Sequence, residues 1–85
     1  MKMTENNSTA IIWSINNCPY CSQAKNFLKQ KGIAYEERNL QEGTWSKAQL
    51  LESVPNARTV PQIFLDDKYI GGYDKLVEHF KKENK

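Results

Sequence analysis

Residues 10–24 read Ala10-Ile11-Ile12-Trp13-Ser14-Ile15-Asn16-Asn17-Cys18-Pro19-Tyr20-Cys21-Ser22-Gln23-Ala24. Residues 10–15 make a short apolar run rich in β-branched side chains, which predicts a buried strand. Pro19 then suits the first turn of a helix, where its missing N–H leaves no bond unmade. Ala24, Phe27 and Leu28 follow at i, i+3, i+4 spacing and predict the buried face of that helix. Lys25, Lys29 and Lys31 are expected on its solvated side, and Gly32 is a natural stop. The two cysteines of the chain therefore lie at a strand-to-helix junction, two residues apart. A thiol there faces unpaired backbone N–H groups and the positive end of the helix dipole. Both favour the thiolate, the nucleophilic form. The pattern points to a dithiol that cycles with a disulfide. Cys18 is expected to attack, and Cys21, one turn inside the helix, to resolve.

Outward from this segment, residues 33–40 predict a second strand with Tyr35 and Leu40 as apolar contacts. Gly43-Thr44 breaks it, and Thr44 is the expected cap of a helix from about Trp45 to Ser53. The helix should end at Val54, because a residue before proline avoids the α region. Residues 63–65 and 68–70 predict two strands of a hairpin turning at Asp66-Asp67. Gly71-Gly72 breaks the second, and a final helix runs from Tyr73 to about residue 82, with Leu76, Val77 and Phe80 on one face. The order is β-α-β-α-β-β-α. A strand-helix-strand crossover makes the first two strands parallel, and the hairpin is antiparallel. The expected fold class is thus α/β around a four-stranded mixed sheet. Residues 1–9 are expected to form a flexible tail, and residues 10–85 a single domain.

Eighty-five residues at 39% hydrophobic content support one small domain with a thin core. A net charge of +2 is too weak to indicate nucleic acid, though it mildly favours a small anionic partner. No apolar run approaches the roughly 20 residues of a membrane span. Residues 1–9 hold no apolar stretch resembling a signal peptide. A cytoplasmic location is therefore expected, where structural disulfides are rare. A bridge across two intervening residues would also restrict the unfolded chain little. Both considerations favour a redox role over a staple. Two cysteines and one histidine, His79, cannot complete a four-ligand structural zinc site alone. No metal is expected, and His79 reads as a surface or boundary residue. Trp13 and Trp45 read as packing residues.

Three motifs, Cys18-Pro19-Tyr20-Cys21, Thr59-Val60-Pro61 and Gly71-Gly72-Tyr73-Asp74, occur in an order and spacing that resembles the glutaredoxins. The resemblance covers residues 10–80. It implies a thioredoxin-like three-layer α/β/α sandwich and a glutathione-dependent thiol–disulfide oxidoreductase. Glutathione would be reductant and co-substrate. The substrates would be protein disulfides and protein–glutathione mixed disulfides, handled by a Cys18/Cys21 cycle. Ribonucleotide reductase is a typical partner of the family, but no residue here names it. The resemblance further implies a cis Pro61 beside the active thiol, with the Val60 backbone pairing with glutathione as an added strand does. Tyr20, Thr59, Gly72 and Tyr73 would join the contacts. The start of the last helix would take the γ-glutamyl carboxylate, and Asp74 the ammonium. A monomer is expected.

One position departs from the pattern. Many glutaredoxins carry a lysine three residues before the first cysteine, where this chain has Ile15. Arg58, Lys47 and Gln49 are the candidates to replace it. Two other readings compete. One is an iron–sulfur carrier, whose dedicated members usually show Cys-Gly-Phe-Ser and a longer preceding loop. The other is a thioredoxin-like protein served by a flavin- or ferredoxin-linked reductase, although thioredoxins usually have Gly-Pro between the cysteines.

Overall fold

The computed structural model describes residues 9–83; the expected tail over residues 1–8 lies outside the described residues. The chain runs β1 (Thr9–Ser14), α1 (Pro19–Gln30), β2 (Ala34–Asn39), α2 (Lys47–Ser53), β3 (Gln62–Leu65), β4 (Lys68–Gly71) and α3 (Tyr73–Glu83). The predicted order holds. The four strands form one sheet in the order β2-β1-β3-β4. β1 pairs with β2 in parallel, while β3 is antiparallel to both β1 and β4. Thr9, expected in the tail, is the first residue of β1; it pairs with Ala34, and its N–H donates to Asp66 Oδ1 at 3.0 Å.

Alternation along the central strands separates two cores. Ala10 and Ile12 of β1 and Ile63 and Leu65 of β3 face α1 and α3, where they meet Ala24, Leu28 and Leu76. Trp13 of β1 turns the other way to pack with Leu50 and Val54 near α2, joined by Ile11 and Phe64. The result is three layers. Burying a side chain such as Ile12 or Leu76 fully is worth about 1.5–3 kcal/mol. The first core therefore carries much of the stability of so short a chain.

Local signals account for the element ends. Gly32 adopts φ 74, and the N–H groups of Gly32 and Ile33 return to the carbonyls of Lys29 and Leu28 at 3.0 and 2.9 Å. That is a Schellman termination of α1. Asp66 and Asp67 both take positive φ, 51 and 68, as a two-residue hairpin turn requires. The start of α2 corrects the sequence expectation. Its cap is Ser46, not Thr44: Ser46 and Gln49 exchange side-chain and backbone bonds in a capping box. Trp45 stays outside the helix with its ring edge-on to Trp13 at 5.5 Å. This aromatic packing delays the helix by two residues.

Candidate active site

Cys18 is the residue that caps α1. Its backbone is extended, and its sulfur accepts the N–H of Cys21 at 3.1 Å. Asn17, in the left-handed region at φ 57, turns the chain from β1 into this position. Asparagine tolerates that conformation better than β-branched residues do. Cys18 and Cys21 are joined as a disulfide, with Cα atoms 5.2 Å apart. The two sulfurs are not equivalent. Cys18 is half-buried, whereas Cys21 is only 1% exposed beneath the first turn of the helix. An incoming molecule therefore meets Cys18 first.

Val60 lies 42 positions along the chain, yet its carbonyl oxygen is 4.0 Å from Cys18 Sγ. The peptide bond between Val60 and Pro61 is cis, as the resemblance implied. Beside it, Tyr20, Thr59, Val60, Pro61, Gly72, Tyr73 and Asp74 line a groove of about 460 Å³. These are the residues that the sequence nominated for glutathione, except Arg58, which is exposed and does not line the groove. Tyr20 is 62% exposed and its ring stacks on that of Tyr73 at 6.2 Å. α3 begins at the far wall, where the Leu76 N–H bonds the Gly72 carbonyl at 3.0 Å. Asp74 is exposed, and its Oδ1 accepts the Lys75 N–H at 2.9 Å. Gly71 holds φ +124, and a Cβ there would come within 3.0 Å of Lys75 Cγ. Glycine is therefore needed for the turn that brings α3 onto the groove.

A second and more polar cleft, about 920 Å³, flanks the cysteines on the β2 side. Its lining includes Ile15, Cys18, Cys21, Lys25, Glu37 and Trp45. Lys25, expected to be solvated, bonds Glu37 Oε2 at 2.9 Å. The fully buried Ser14 donates its hydroxyl to the same oxygen at 2.6 Å. Foremost the Ser14 hydroxyl, then Lys25, hold the Glu37 carboxyl below its ordinary value, against a partial burial that works the other way. The cation that shares this cleft with Ile15 and Cys18 is thus Lys25; Arg58, Lys47 and Gln49 line neither hollow. No local pattern marks Lys25 on α1, because its partner Glu37 lies on β2. Below the same loop, Asn39 Nδ2 donates to Asn16 Oδ1 at 3.1 Å, and the Asn16 N–H donates to Gln41 Oε1 at 2.8 Å. These bonds tie the segment before Cys18 to the end of β2. Among the described residues, no group of three or more His, Cys, Asp or Glu side chains could hold a metal ion. No helix among them is long and apolar enough to cross a membrane.

Comparison with known proteins agrees with this geometry. The family model for glutaredoxin matches residues 10–70. Glutaredoxin 1 of Rickettsia conorii is 38% identical over 71 residues, covering 82% of this chain and 70% of the relative. Glutaredoxin 3 of Escherichia coli is 38% identical over 65 residues, covering 76% of this chain and 77% of the relative. Among solved structures, the buckwheat glutaredoxin–glutathione complex superposes with a TM-score of 0.77 at 31% identity, over 92% of this chain and 73% of the other. Glutaredoxin 1 from Francisella tularensis gives a TM-score of 0.73 at 30% identity, over 92% and 99%. With its cysteine pair at the head of α1 on a thioredoxin fold, this chain belongs to the glutaredoxin family of glutathione-dependent thiol oxidoreductases.

Proposed function

We propose that the chain reduces protein disulfides and protein–glutathione mixed disulfides through a Cys18/Cys21 cycle, with glutathione seated in the groove between Tyr20 and Asp74. The observation that carries this reading is the convergence of Tyr20, Thr59, Val60, Pro61, Gly72, Tyr73 and Asp74 around one groove beside the half-buried sulfur of Cys18. Glutathione has an extended backbone, an ammonium and two carboxylates. The Val60 backbone suits the first, Asp74 the second, and the start of α3 one of the carboxylates.

On a glutathione mixed disulfide, the Cys18 thiolate attacks the glutathione sulfur. A Cys18–glutathione disulfide forms and the protein thiolate leaves. A second glutathione thiolate then attacks the bound glutathione sulfur, giving oxidised glutathione and regenerating the Cys18 thiolate. On a protein disulfide, Cys18 bonds one substrate sulfur and expels the other. Cys21, after losing its proton, attacks the Cys18 sulfur; the remaining substrate thiolate leaves and the Cys18–Cys21 disulfide forms. Two glutathiones reduce that bridge. The Cys21 N–H and the helix N-terminus at Cys18 Sγ supply the stabilisation that makes Cys18 a good attacking and leaving thiolate.

The test is a coupled assay with glutathione, glutathione reductase and two substrates: a glutathionylated peptide and a disulfide-bonded protein. Cys18→Ser is expected to lose activity toward both. Cys21→Ser is expected to keep activity toward the glutathionylated peptide and lose much of it toward the protein disulfide. Equal loss of peptide activity in both variants would remove the route through Cys18 alone.

A further inference from the structure

Gln62 follows Pro61 at the start of β3 and is 7% exposed. A primary amide so far from water must find partners, since an unmade bond there costs far more than a made one returns. Both ends of this one are satisfied. Nε2 donates to the Thr59 carbonyl at 2.8 Å, and Oε1 accepts the Tyr69 hydroxyl at 2.6 Å. Tyr69 sits on β4, half-exposed, with its ring against Phe64 at 5.4 Å. The chain of bonds thus runs from the outer strand of the sheet, through a buried side chain, to the loop that walls the groove.

The bond to Thr59 has a directional consequence. The Thr59 carbonyl and the Val60 N–H belong to one planar peptide unit. In the trans form they point in opposite directions; the cis bond among the described residues is the following one, between Val60 and Pro61. Fixing the Thr59 carbonyl on a buried amide therefore fixes where the Val60 N–H points. Val60 lines the groove, and its N–H is the donor that an extended peptide in that groove would use.

We propose that Gln62 is a positioning residue for glutathione. By holding the Thr59 carbonyl it aims the Val60 N–H into the groove, and Tyr69 orients Gln62 for that task. Donor and acceptor ends of an amide differ, so the Tyr69 hydroxyl, donating to Oε1, selects the orientation that turns Nε2 toward Thr59. This inference rests on the reading of the groove as the glutathione site.

The experiment measures KM and kcat on a glutathionylated peptide and on the same peptide carrying a small thiol in place of glutathione. The proteins are wild type, Gln62→Met, Tyr69→Phe and the pair. Gln62→Met is expected to raise KM for the glutathionylated peptide about 5- to 10-fold, the size of one lost hydrogen bond, with kcat little changed. The small-thiol substrate and the alkylation rate of reduced Cys18 should not move. Tyr69→Phe should raise the same KM about 2- to 3-fold, and in the Gln62→Met background it should add nothing, because it acts through Gln62. An unchanged KM in Gln62→Met overturns the inference. So does a loss shared by both substrates together with slower alkylation, which would mark a collapsed loop. Independent losses in the double variant overturn the role of Tyr69. Should Gln62→Met fail to fold, Tyr69→Phe decides, since it removes only one oxygen from a half-exposed ring; an unchanged KM there overturns the proposal. A wild type that does not distinguish the two peptides would overturn the glutathione reading itself. Wild-type discrimination that the variants retain overturns only the positioning role.

Discussion

The two flanks of the cysteine pair are built on different principles. On the α3 side, the groove is walled by two tyrosine rings, a proline and loop backbone, with Asp74 as its one charged side chain. On the β2 side, the cleft is twice as large and holds an ion pair, Lys25 with Glu37, backed by a buried hydroxyl and a set of amides. The first flank offers N–H and C=O directions fixed by the fold. In the second, Lys25 and Glu37 are spent on one another, and the exposed Glu42 lies at its rim. On the proposed reading, a ligand with an extended backbone and a free ammonium uses the Val60 backbone and Asp74 on the groove side. The cleft side is better suited to steadying the loop that carries Cys18.

The sharpest way to break this contrast is to remove one acid from each flank. Asp74→Ala is expected to weaken glutathione handling about 10- to 150-fold, the loss of a charge-assisted hydrogen bond to the ammonium. Its effect on stability should stay near 0.3–1 kcal/mol, the dipole term at a helix start. Glu37→Gln should change the same kcat/KM by no more than about 2-fold, because exposed ion pairs contribute little. Turnover and melting measured on one sample separate the two. A substrate lacking the glutamyl amine is the control: Asp74→Ala should treat it as wild type does. Equal losses for both substrates would make Asp74 a helix cap alone.

A smaller effect is expected at Arg38. Its guanidinium carbon lies 4.2 Å from the Trp45 ring centroid and 5.1 Å from that of Trp13, and Nε bonds Glu36 at 2.9 Å. Arg38→Met keeps the stem and removes the cation. The expected cost is about 0.5–2 kcal/mol in chemical denaturation, together with a change in tryptophan emission. KM for glutathione should not move, since the disturbed wall belongs to the cleft. A rise in KM would show that the two flanks are coupled through the second core.

The smallest effect sharpens the electrostatics. The Glu37 carboxyl is held below its ordinary value in the folded chain, chiefly because Ser14 bonds its carboxylate. A lowered folded value means that the carboxylate adds stability fully above the unfolded value, and that this stability is lost as pH falls through the folded value. Ser14→Ala removes the largest cause, so the Glu37 titration followed by carbon NMR should move upward. The stability gap between wild type and variant should be widest above the unfolded value. The part due to Glu37 ionisation should vanish in acid below both. A gap that keeps its full size in acid would assign the whole effect to lost packing at Ser14.

What could be read along the chain was what depends on near neighbours. Two thiols at a helix start, the Gly32 stop, the Asp66-Asp67 turn and the apolar β-branched run of β1 are set by interactions within a few residues, so the element order followed from them. The capping box at Ser46 and Gln49 was equally local; the misplaced cap at Thr44 came from reading Trp45 as helical when a distant partner, Trp13, held it outside. The motifs named the groove residues only through resemblance to a family. Tertiary structure decided which of them meet. Val60 reaches Cys18 because β3 pairs beside β1, and α3 reaches the groove because Gly71 takes φ +124 at the turn before it, with Gly72 lying near the Pro61 carbonyl. It also paired Lys25 with Glu37 and joined Tyr69 to Thr59 through Gln62. These partners are brought together by strand register and sheet order. Such contacts carry no mark at either end of the sequence, because each side chain taken alone is an ordinary polar residue.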